Sequence, residues 1–354
     1  MKRLSEYVVR FVLRLAARVY YGNAAQAEGI FEKIRHPRSL WIVARNILNY
    51  QRGIPRIAGV VTLGIEPSFG CNLRCKYCWG KFEQALQGRR PMLMDWALFT
   101  RAVDQAPITV ESVTLGCLGE PLLNPRTPEM IEYIVRSGRR ACMYTNGMLL
   151  EGERMRRLAA APLATLNISI EPDAETSREY RGADYDRVLD NARAFAAART
   201  HPTEIQLSVV LHPGNTGRME GLRRDWKNLA GAIKVSPLLV NDACETRQSC
   251  SEVWRGNMTV FTDGSVSPCC VDLFGELEIG NLNEQTFQEI ISGERFARML
   301  DDFAHGRLLE RCLKCGEVMV DQAPIRFPKR APRKTEPANP HDATPGNRID
   351  TGDS

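Results

Sequence analysis

The densest group of metal-binding residues in the chain is the segment CNLRCKYC, which places thiols at Cys71, Cys75 and Cys78. Three thiolates this close together can bind three corners of an iron–sulfur cube, and no fourth cysteine lies nearby in the sequence. A closed structural site uses four protein ligands, so three leave one metal position open to a ligand that is not protein. The spacing therefore predicts a metal site at which chemistry takes place.

Most of the remaining cysteines form a second group in the C-terminal third of the chain. The chain has 11 cysteines, and the members of this group are Cys250, Cys269, Cys270, Cys312 and Cys315. Closely spaced cysteines in a long chain favour metal binding, because disulfide frameworks belong to short secreted chains. On spacing alone, four of them with a terminal CxxC pair suit a zinc site and an iron–sulfur cluster equally well.

Short segments rich in β-branched residues alternate with helical patterns from residue 60 onward. The predicted strands are VVTLGIE (60–66), ESVTLGCL (111–118), ACMYTN (141–146), TLNISIE (165–171), EIQLSVVL (204–211) and AIKVSPLLV (232–240). Helices are predicted between them near 94–106, 127–138, 151–160, 184–199 and 217–230. Repeated strand–helix alternation indicates parallel strands with right-handed crossovers, arranged as a barrel or an open barrel.

Polar residues follow the ends of four predicted strands. The cysteine loop follows the first strand, Gly119-Glu120-Pro121 the second and Asn146-Gly147 the third, and Glu171 ends the fourth. In such folds the loops after the C-terminal ends of the strands build the active site. These loops are therefore expected to meet at one rim.

The N-terminal residues 1–59 are predicted to form a helical extension. Arg10, Arg14 and Arg18 recur at helical spacing in its apolar part, so no stretch is long enough for a signal peptide or a membrane span. This pattern favours an amphipathic helix packed on the domain, and binding to a membrane surface is the alternative. Reduced thiols and the lack of a visible secretion signal favour a cytoplasmic location.

The C-terminal part is predicted to contain a small domain and a tail. In residues 241–321 the alternation stops, and NMTVFTDGSVSPCC predicts a hairpin that turns at Asp263-Gly264, followed by helical stretches near 283–304. Residues 322–354 are rich in proline and nearly free of apolar side chains, which predicts disorder. The net charge of +5 comes from basic residues spread along the chain, so binding of nucleic acid is not expected.

The spacing C-x3-C-x2-C after the first strand of an α/β domain resembles the signature of the radical S-adenosylmethionine (SAM) enzymes, and the likeness runs over residues 60–240. The resemblance implies that Cys71, Cys75 and Cys78 hold a [4Fe–4S] cluster whose fourth iron is chelated by the methionine part of SAM. It also implies reductive cleavage of SAM to a 5′-deoxyadenosyl radical, and a reductant such as flavodoxin or ferredoxin. Tyr77 matches the family's aromatic position next to the adenine, and packing against the cluster is a compatible alternative.

The same resemblance assigns roles to other residues of the rim. Gly119-Glu120 is similar to the family's Gly-Gly-Glu segment, which binds the methionine amino group, although Leu118 replaces the first glycine. Ser169 and Arg181 resemble the pair that holds the methionine carboxylate, and an arginine fork suits a carboxylate. The alternative for Arg181 is a surface position on a helix.

The later cysteines, spaced Cys-x13-Gly-x4-Cys with a distant CxxC, resemble the C-terminal extension called SPASM, or its shorter twitch form. A full SPASM pattern provides ligands for two auxiliary clusters. This chain offers four clear ligands, so the resemblance implies one auxiliary [4Fe–4S] cluster at Cys250, Cys269, Cys312 and Cys315, with zinc as the alternative. Such a cluster has no open corner, which favours electron transfer. The predicted fold is thus a partial (β/α)6 TIM-like barrel with a small C-terminal iron–sulfur domain.

Three cysteines stand apart from both groups. Cys244 lies just past the sixth predicted strand on the active-site side, where a thiol can return a hydrogen atom to a substrate radical. A buried or incidental thiol is the alternative at this position. Cys117 and Cys142 lie inside predicted strands and are expected in the core.

Taken together, the resemblance implies a radical SAM oxidoreductase or maturase that oxidises or cross-links a side chain of a ribosomal peptide or protein. The alternative within enzymes is a dehydrogenase or epimerase that acts on a small sugar or aminocyclitol. A protein of another class, a non-catalytic iron–sulfur or zinc protein that binds a partner, is the third hypothesis. Production of 5′-deoxyadenosine distinguishes either enzyme from a binding protein.

Overall fold

The computed structural model of the chain describes residues 36–78, 92–237, 250–269, 272 and 275–313. Some predictions lie outside the described residues: the amphipathic helix that carries Arg10, the C-terminal tail, and the thiols of Cys244, Cys270 and Cys315. Among the described residues, no helix is both long and apolar enough to cross a membrane.

The described strands form one large sheet and one small pair. In chain order they are β1 (Thr62–Ile65), β2 (Ser68–Phe69), β3 (Met92–Leu93), β4 (Ser112–Leu115), β5 (Arg140–Thr145), β6 (Thr165–Ser169), β7 (Glu204–Leu211), β8 (Ala232–Pro237), β9 (Asn257–Val260), β10 (Ser265–Ser267) and β11 (Gly280–Asn281). The large sheet has the order β11-β10-β9-β1-β4-β5-β6-β7-β8, and β2 pairs with β3. Every neighbouring pair from β9 through β1 to β8 is parallel.

Helices connect the parallel strands. The described ones are α1 (Pro37–Gln51), α2 (Trp96–Asp104), α3 (Thr127–Arg136), α4 (Gly152–Ala160), α5 (Ala174–Thr176), α6 (Tyr185–Ala198), α7 (Met219–Trp226), α8 (Phe287–Ser292), α9 (Glu294–Ala304) and α10 (Glu310–Leu313). Asp95 and Asp184 cap α2 and α6, because their carboxylates accept backbone N–H groups of the first turn. These elements confirm the predicted α/β class and the partial (β/α)6 barrel.

The apolar core lies between the sheet and the helices. Leu63 and Ile65 of β1 belong to the same buried cluster as Phe99 of α2, Ile131 of α3 and Phe195 of α6. Burial of a large apolar side chain of this kind stabilises the fold by about 1.5–3 kcal/mol. This packing holds the parallel strands in register, so their C-terminal ends share one edge of the sheet, where the predicted site residues follow.

The C-terminal hairpin belongs to the same sheet as the barrel strands. β9 runs parallel to β1, and β10 turns back antiparallel along β9. The turn lies at the predicted Asp263-Gly264 position, where the φ of 87° at Gly264 favours glycine. The hairpin prediction is confirmed, and the structure adds the parallel contact with β1. The domain limits at 60–240 and 241–321 stay a prediction.

One of the two cysteines predicted for the core lies elsewhere. Cys142 is buried in β5, as predicted. Cys117 is exposed, and its φ of 89° lies in the left-handed region. The prediction for Cys117 is wrong because β4 already ends at Leu115. Beyond that point the chain turns away from the strand, so that Gly119 can pack against the loop after β1.

Candidate functional site

The cysteine loop lies beyond the C-terminal end of β1, on the predicted rim. Cys71 Sγ lies 3.6 Å from Nδ2 of Asn146, which follows β5. Cys75 Sγ lies 3.9 Å from the carbonyl oxygen of Arg181. The backbone N–H of Cys78 donates to the carbonyl oxygen of Cys75 at 3.1 Å. The two halves of the loop therefore contact two different parts of the rim.

The three thiols have the donor chemistry that an iron–sulfur cluster requires. Burial raises the pKa of Cys71 and of Cys75, so without a bound metal both are neutral thiols. Metal binding releases the thiol protons, because the thiolate is the ligand. Among the described residues, no three Cys, His, Asp or Glu side chains lie close enough to hold a metal ion, so the sulfurs are not gathered around one point. The fit rests on donor type and on N–H groups directed at sulfur, such as that of Leu73, 3.4 Å from Cys71 Sγ.

Gly119 brings the second rim loop against the backbone that leads into the cysteine loop. The backbone N–H of Glu120 donates to the carbonyl oxygen of Gly70 at 2.7 Å. A Cβ atom at Gly119 would overlap the carbonyl oxygen of Ser68 and lie 2.7 Å from that of Gly70. Because both obstacles are backbone atoms, only glycine fits at this position without displacing the loop.

The Glu120 side chain points away from solvent and fixes the third rim loop. Only 2% of Glu120 is exposed, and its carboxylate accepts hydrogen bonds from Thr145 Oγ1 at 2.7 Å and from the Asn146 N–H at 2.8 Å. Burial raises the pKa of Glu120, and these hydrogen bonds work against that rise. Glu120 thus places Asn146, whose amide also lies near Cys71. The predicted contact of Glu120 with the methionine amino group stays a prediction.

Arg181 is buried and paired with a carboxylate. It ends a π-helical turn, Ser177–Arg181, and its Nε donates to Oε1 of Glu171 at 3.2 Å. Only 6% of Arg181 is exposed, so the predicted rim position is favoured over its alternative of a surface helix residue. Burial works against its charge, but Tyr77, Cys75 and Glu171 around it raise the pKa of Arg181. Arg181 is therefore a fixed positive charge next to the cysteine loop.

Glu171 is the buried acceptor at the centre of this region. Its carboxylate is fully buried and accepts hydrogen bonds from Tyr77 Oη, Arg181 Nε, His212 Nε2 and Asn215 Nδ2. Burial alone would raise the pKa of Glu171, but the hydrogen bond from His212, the charge of Arg181 and the bonds from Tyr77 and Asn215 lower it. Glu171 is therefore ionised at neutral pH.

The two remaining predicted cofactor residues, Ser169 and Tyr77, differ in burial and in hydrogen bonding. Ser169 is the half-buried last residue of β6, and no hydrogen bond joins it to Arg181 in the described part of the chain. Tyr77 is buried, donates to Glu171 and lies with its ring 5.5 Å from that of His212. Tyr77 thus packs within the rim, and its packing against the cluster and its contact with an adenine both stay predictions.

Sequence reasoning assigned no role to His212 or Asn215. Both follow β7, so the rule that directed attention to the loops after β1, β4, β5 and β6 also covers them. Neither residue belongs to a motif, so their place after β7 is the signal that the sequence offers. Their partner, Glu171, lies more than 40 positions earlier in the chain.

The later cysteines lie in the apolar core near the C-terminal hairpin. Cys269 and Cys312 belong to the main buried cluster, and Cys250 packs against it. Cys269 follows β10, which runs opposite to β1, so it lies level with the first residues of β1 and away from the rim. Cys269 and the cysteine loop therefore lie toward opposite ends of β1, whose four residues span about 13 Å. Cys315 lies outside the described residues.

Two family profiles match the chain. The Radical SAM superfamily profile matches residues 65–225, and the profile of an iron–sulfur cluster-binding domain, SPASM, matches residues 250–316. The first domain implies a [4Fe–4S] cluster and SAM as cofactors, and the second implies auxiliary iron–sulfur clusters.

Relatives with curated names share about a quarter to a third of the aligned residues. The tungsten-containing aldehyde ferredoxin oxidoreductase cofactor-modifying protein of Pyrococcus furiosus is 27% identical over 50% of this chain and 51% of its own length. The AdoMet-dependent heme synthase of Methanosarcina barkeri is 30% identical over 41% of each chain. The PqqA peptide cyclase of Xanthomonas euvesicatoria pv. vesicatoria is 27% identical over 45% of this chain and 42% of its own. The matches thus span about half of these relatives or less.

Solved structures share the fold at lower identity. Streptococcus suis SuiB bound to precursor peptide SuiA aligns with a TM-score of 0.57 and 15% identity, covering 81% of this chain and 76% of that one. His-tagged anSMEcpe with bound AdoMet aligns with a TM-score of 0.52 and 15% identity, covering 72% and 88%. By these profile matches, the chain contains a radical SAM domain followed by a SPASM iron–sulfur domain.

Proposed function

We propose that the chain is an enzyme that cleaves SAM reductively and abstracts a hydrogen atom from a side chain of a ribosomal peptide or protein, which it oxidises or cross-links. When bound, the reduced cluster and SAM supply a 5′-deoxyadenosyl radical for this step. The observation that carries the proposal is the position of the cysteine loop: it follows β1 and contacts two other rim loops, through Asn146 and Arg181. A flavodoxin or ferredoxin supplies the electron.

In this proposal, different residues bind the cluster and the different parts of SAM. Cys71, Cys75 and Cys78 bind three irons and leave the fourth to SAM. Glu120 accepts a hydrogen bond from the methionine amino group, and Arg181, with Ser169, binds the methionine carboxylate. The burial of Arg181 supports its part, because a buried guanidinium attracts a carboxylate more strongly than an exposed one. Tyr77 packs at the cluster and borders the adenine.

The later cysteines hold one auxiliary cluster in this proposal. Cys250, Cys269 and Cys312 share one apolar cluster of side chains, and Cys315 completes the set from its CxxC pair. Because all four ligands come from the protein, no iron is left for substrate. The position of Cys269 away from the rim supports a role in electron transfer: a cluster held by these cysteines would take up the electron that a substrate radical loses on oxidation.

Replacement of Cys269 by alanine tests the auxiliary cluster. We expect the iron content of the reconstituted protein to fall from about eight to about four atoms per chain, because one cube is lost. SAM cleavage by the remaining cluster should persist, whereas substrate oxidation should stop. A wild-type protein with about four irons and one zinc contradicts the assignment and indicates a structural zinc site instead.

The peptide part of the proposal draws on a relative, the PqqA peptide cyclase. Its test uses the short peptide, if one is encoded beside the gene, as a candidate substrate. Incubation with SAM and reductant should yield a peptide lighter by the mass of two hydrogens for each bond formed, in step with 5′-deoxyadenosine. An unchanged peptide together with an oxidised or epimerised sugar or aminocyclitol contradicts the peptide substrate and leaves the SAM chemistry standing.

In the alternative in which the chain is an epimerase, Cys244 would donate a hydrogen atom to the substrate radical and become a thiyl radical, which an electron from the flavodoxin or ferredoxin and a proton return to the thiol. Replacement of Cys244 by serine or alanine should then abolish product and leave 5′-deoxyadenosine formation intact, because only the second hydrogen transfer is lost. Mass spectrometry of both products gives the result. Normal product formation by the variant contradicts this role.

A further inference from the structure

Glu171 joins three separate segments of the rim through its carboxylate. Tyr77 comes from the cysteine loop, Arg181 from the π-helical turn, and His212 and Asn215 from the loop after β7. Nε2 of His212 lies 3.0 Å and Nδ2 of Asn215 lies 2.7 Å from Oε2 of Glu171. We call these five residues the Glu171 cluster.

The β7 side of the Glu171 cluster is held rigidly. Asn215 Nδ2 also donates to the carbonyl oxygen of Val210 at 2.8 Å, and its Oδ1 accepts the backbone N–H of His212 at 2.9 Å. The ring of His212 lies 4.0 Å from that of Tyr180, in the π-helical turn. Glu171 therefore bonds to donors that have little freedom to move.

The other side of the Glu171 cluster holds the second half of the cysteine loop. The backbone N–H of Lys76 donates to the carbonyl oxygen of Tyr180 at 2.7 Å, and Cys75 Sγ lies against the carbonyl oxygen of Arg181. Tyr77 is bonded to Glu171 itself. Cys75 and Cys78 flank these contacts in the sequence, so their positions depend on the Glu171 cluster, whereas Cys71 is placed by the loops that carry Gly119 and Asn146.

Glu171 also determines how Arg181 presents its charge. Nε of Arg181 is occupied by Glu171, and in the described part of the chain its two Nη groups make no further hydrogen bond. A guanidinium held at Nε has its remaining edge fixed in direction, and that edge can bind a carboxylate in the bidentate manner. Because a buried arginine without a partner is strongly unfavourable, Glu171 also stabilises the charge.

We propose that Glu171 is a positioning residue of the cofactor site: it holds Tyr77 and Arg181 so that the cysteine loop and the arginine meet SAM in one arrangement. The inference rests on the proposed function, because it takes Arg181 as the partner of the methionine carboxylate. Glu171 does not itself contact the cofactor in this account. Its effect reaches SAM through Arg181 and the cysteine loop.

The test is a titration of the reduced, reconstituted protein with SAM, followed by electron paramagnetic resonance of the cluster. Glu171→Gln keeps the shape of the side chain and an oxygen that can accept the Tyr77 hydroxyl, and it removes the charge that fixes Arg181, so we expect unchanged iron content and an unchanged spectrum without SAM. The SAM concentration that half-converts the spectrum should rise by roughly tenfold or more, since a fixed charge-assisted contact is lost. A purely structural role would lower the melting temperature and leave this concentration unchanged.

Glu179→Gln is the matched control. Glu179 lies in the same π-helical turn and contacts the same loop, through Lys76 at 3.0 Å, but both partners are about half exposed. Because exposed ion pairs contribute little, its half-conversion concentration should stay within about twofold of the wild type. A Glu171→Gln protein that also stays within that range overturns the inference.

If Glu171→Gln does not fold, Tyr77→Phe tests the positioning role of Glu171 instead. This variant removes the hydroxyl that donates to Glu171 and keeps the aromatic ring. We expect the half-conversion concentration of SAM to rise by roughly threefold or more. An unchanged titration of Tyr77→Phe overturns the inference. If the wild-type spectrum itself does not respond to SAM, the proposed function fails, and this inference fails with it.

Discussion

Replacement of Cys75 by alanine is expected to abolish formation of 5′-deoxyadenosine and to remove about four irons per chain. Two thiolates cannot hold a cube whose fourth iron must stay open. The variant therefore loses the whole cluster and not just one iron–sulfur ligand bond. The rate should fall by at least about a thousandfold, because no other group in the site can deliver the electron. Iron analysis and mass spectrometry of the nucleoside provide the two measurements.

Cys142→Ala is the matched control for this prediction. Cys142 is buried in β5 and belongs to neither cysteine group. Its replacement removes one thiol, as Cys75→Ala does, but at a position away from the proposed ligands. We expect full iron content and a loss of about 1 kcal/mol in the free energy of unfolding, from the small cavity. If Cys75→Ala keeps all its iron, Cys75 is not a ligand and the assignment of the loop is wrong.

Replacement of Gly119 by alanine should have the second largest effect. The added methyl group would overlap the carbonyl oxygen of Ser68 and crowd that of Gly70, and neither can rotate away as a side chain does. We expect the free energy of unfolding to fall by about 3 kcal/mol, because the backbone that leads into the cysteine loop must shift. Cluster loading and SAM cleavage should fall with it, since the shift moves Cys71.

Gly221→Ala separates this steric effect from a general effect of glycine replacement. Gly221 lies in α7, and a methyl group there meets only the end of the Arg224 side chain, at 3.9 Å. We expect stabilisation of about 0.5–1 kcal/mol, because alanine favours the helix. Urea unfolding compares the two variants. Normal stability and normal iron content in Gly119→Ala contradict the packing described for the rim.

Local patterns were sufficient to predict the elements that carry the site. The six barrel strands are short runs of β-branched residues bounded by polar loops, and their order along the chain makes parallel pairing the favoured arrangement. A common rim is predicted because the C-terminal ends of parallel strands lie at the same edge of the sheet. The pairing of β9 with β1 was not predictable in this way, because it joins residues almost 200 positions apart and has no local signal.

Local sequence patterns do not predict the hydrogen-bond and ion-pair partners of individual side chains. The motif around Tyr77 indicated a place on the rim, but not that its hydroxyl donates to Glu171, 94 positions away. The role of Arg181, with Ser169, in holding the methionine carboxylate stays a prediction, and the pairing of Arg181 with Glu171 has no signal in the sequence. Sequence spacing determines which edge a residue reaches. The hydrogen bonds of a buried polar group depend on every segment that packs around it, including the β7 loop.

The most direct test of the account is the release of 5′-deoxyadenosine by the protein itself. The full chain is reconstituted with iron and sulfide without oxygen, reduced with dithionite and given SAM, and the nucleoside is measured by mass spectrometry. We expect 5′-deoxyadenosine from the wild type and none from Cys75→Ala. Its complete absence from a wild-type preparation that holds about eight irons per chain would contradict the account, because the clusters would then be present without the chemistry.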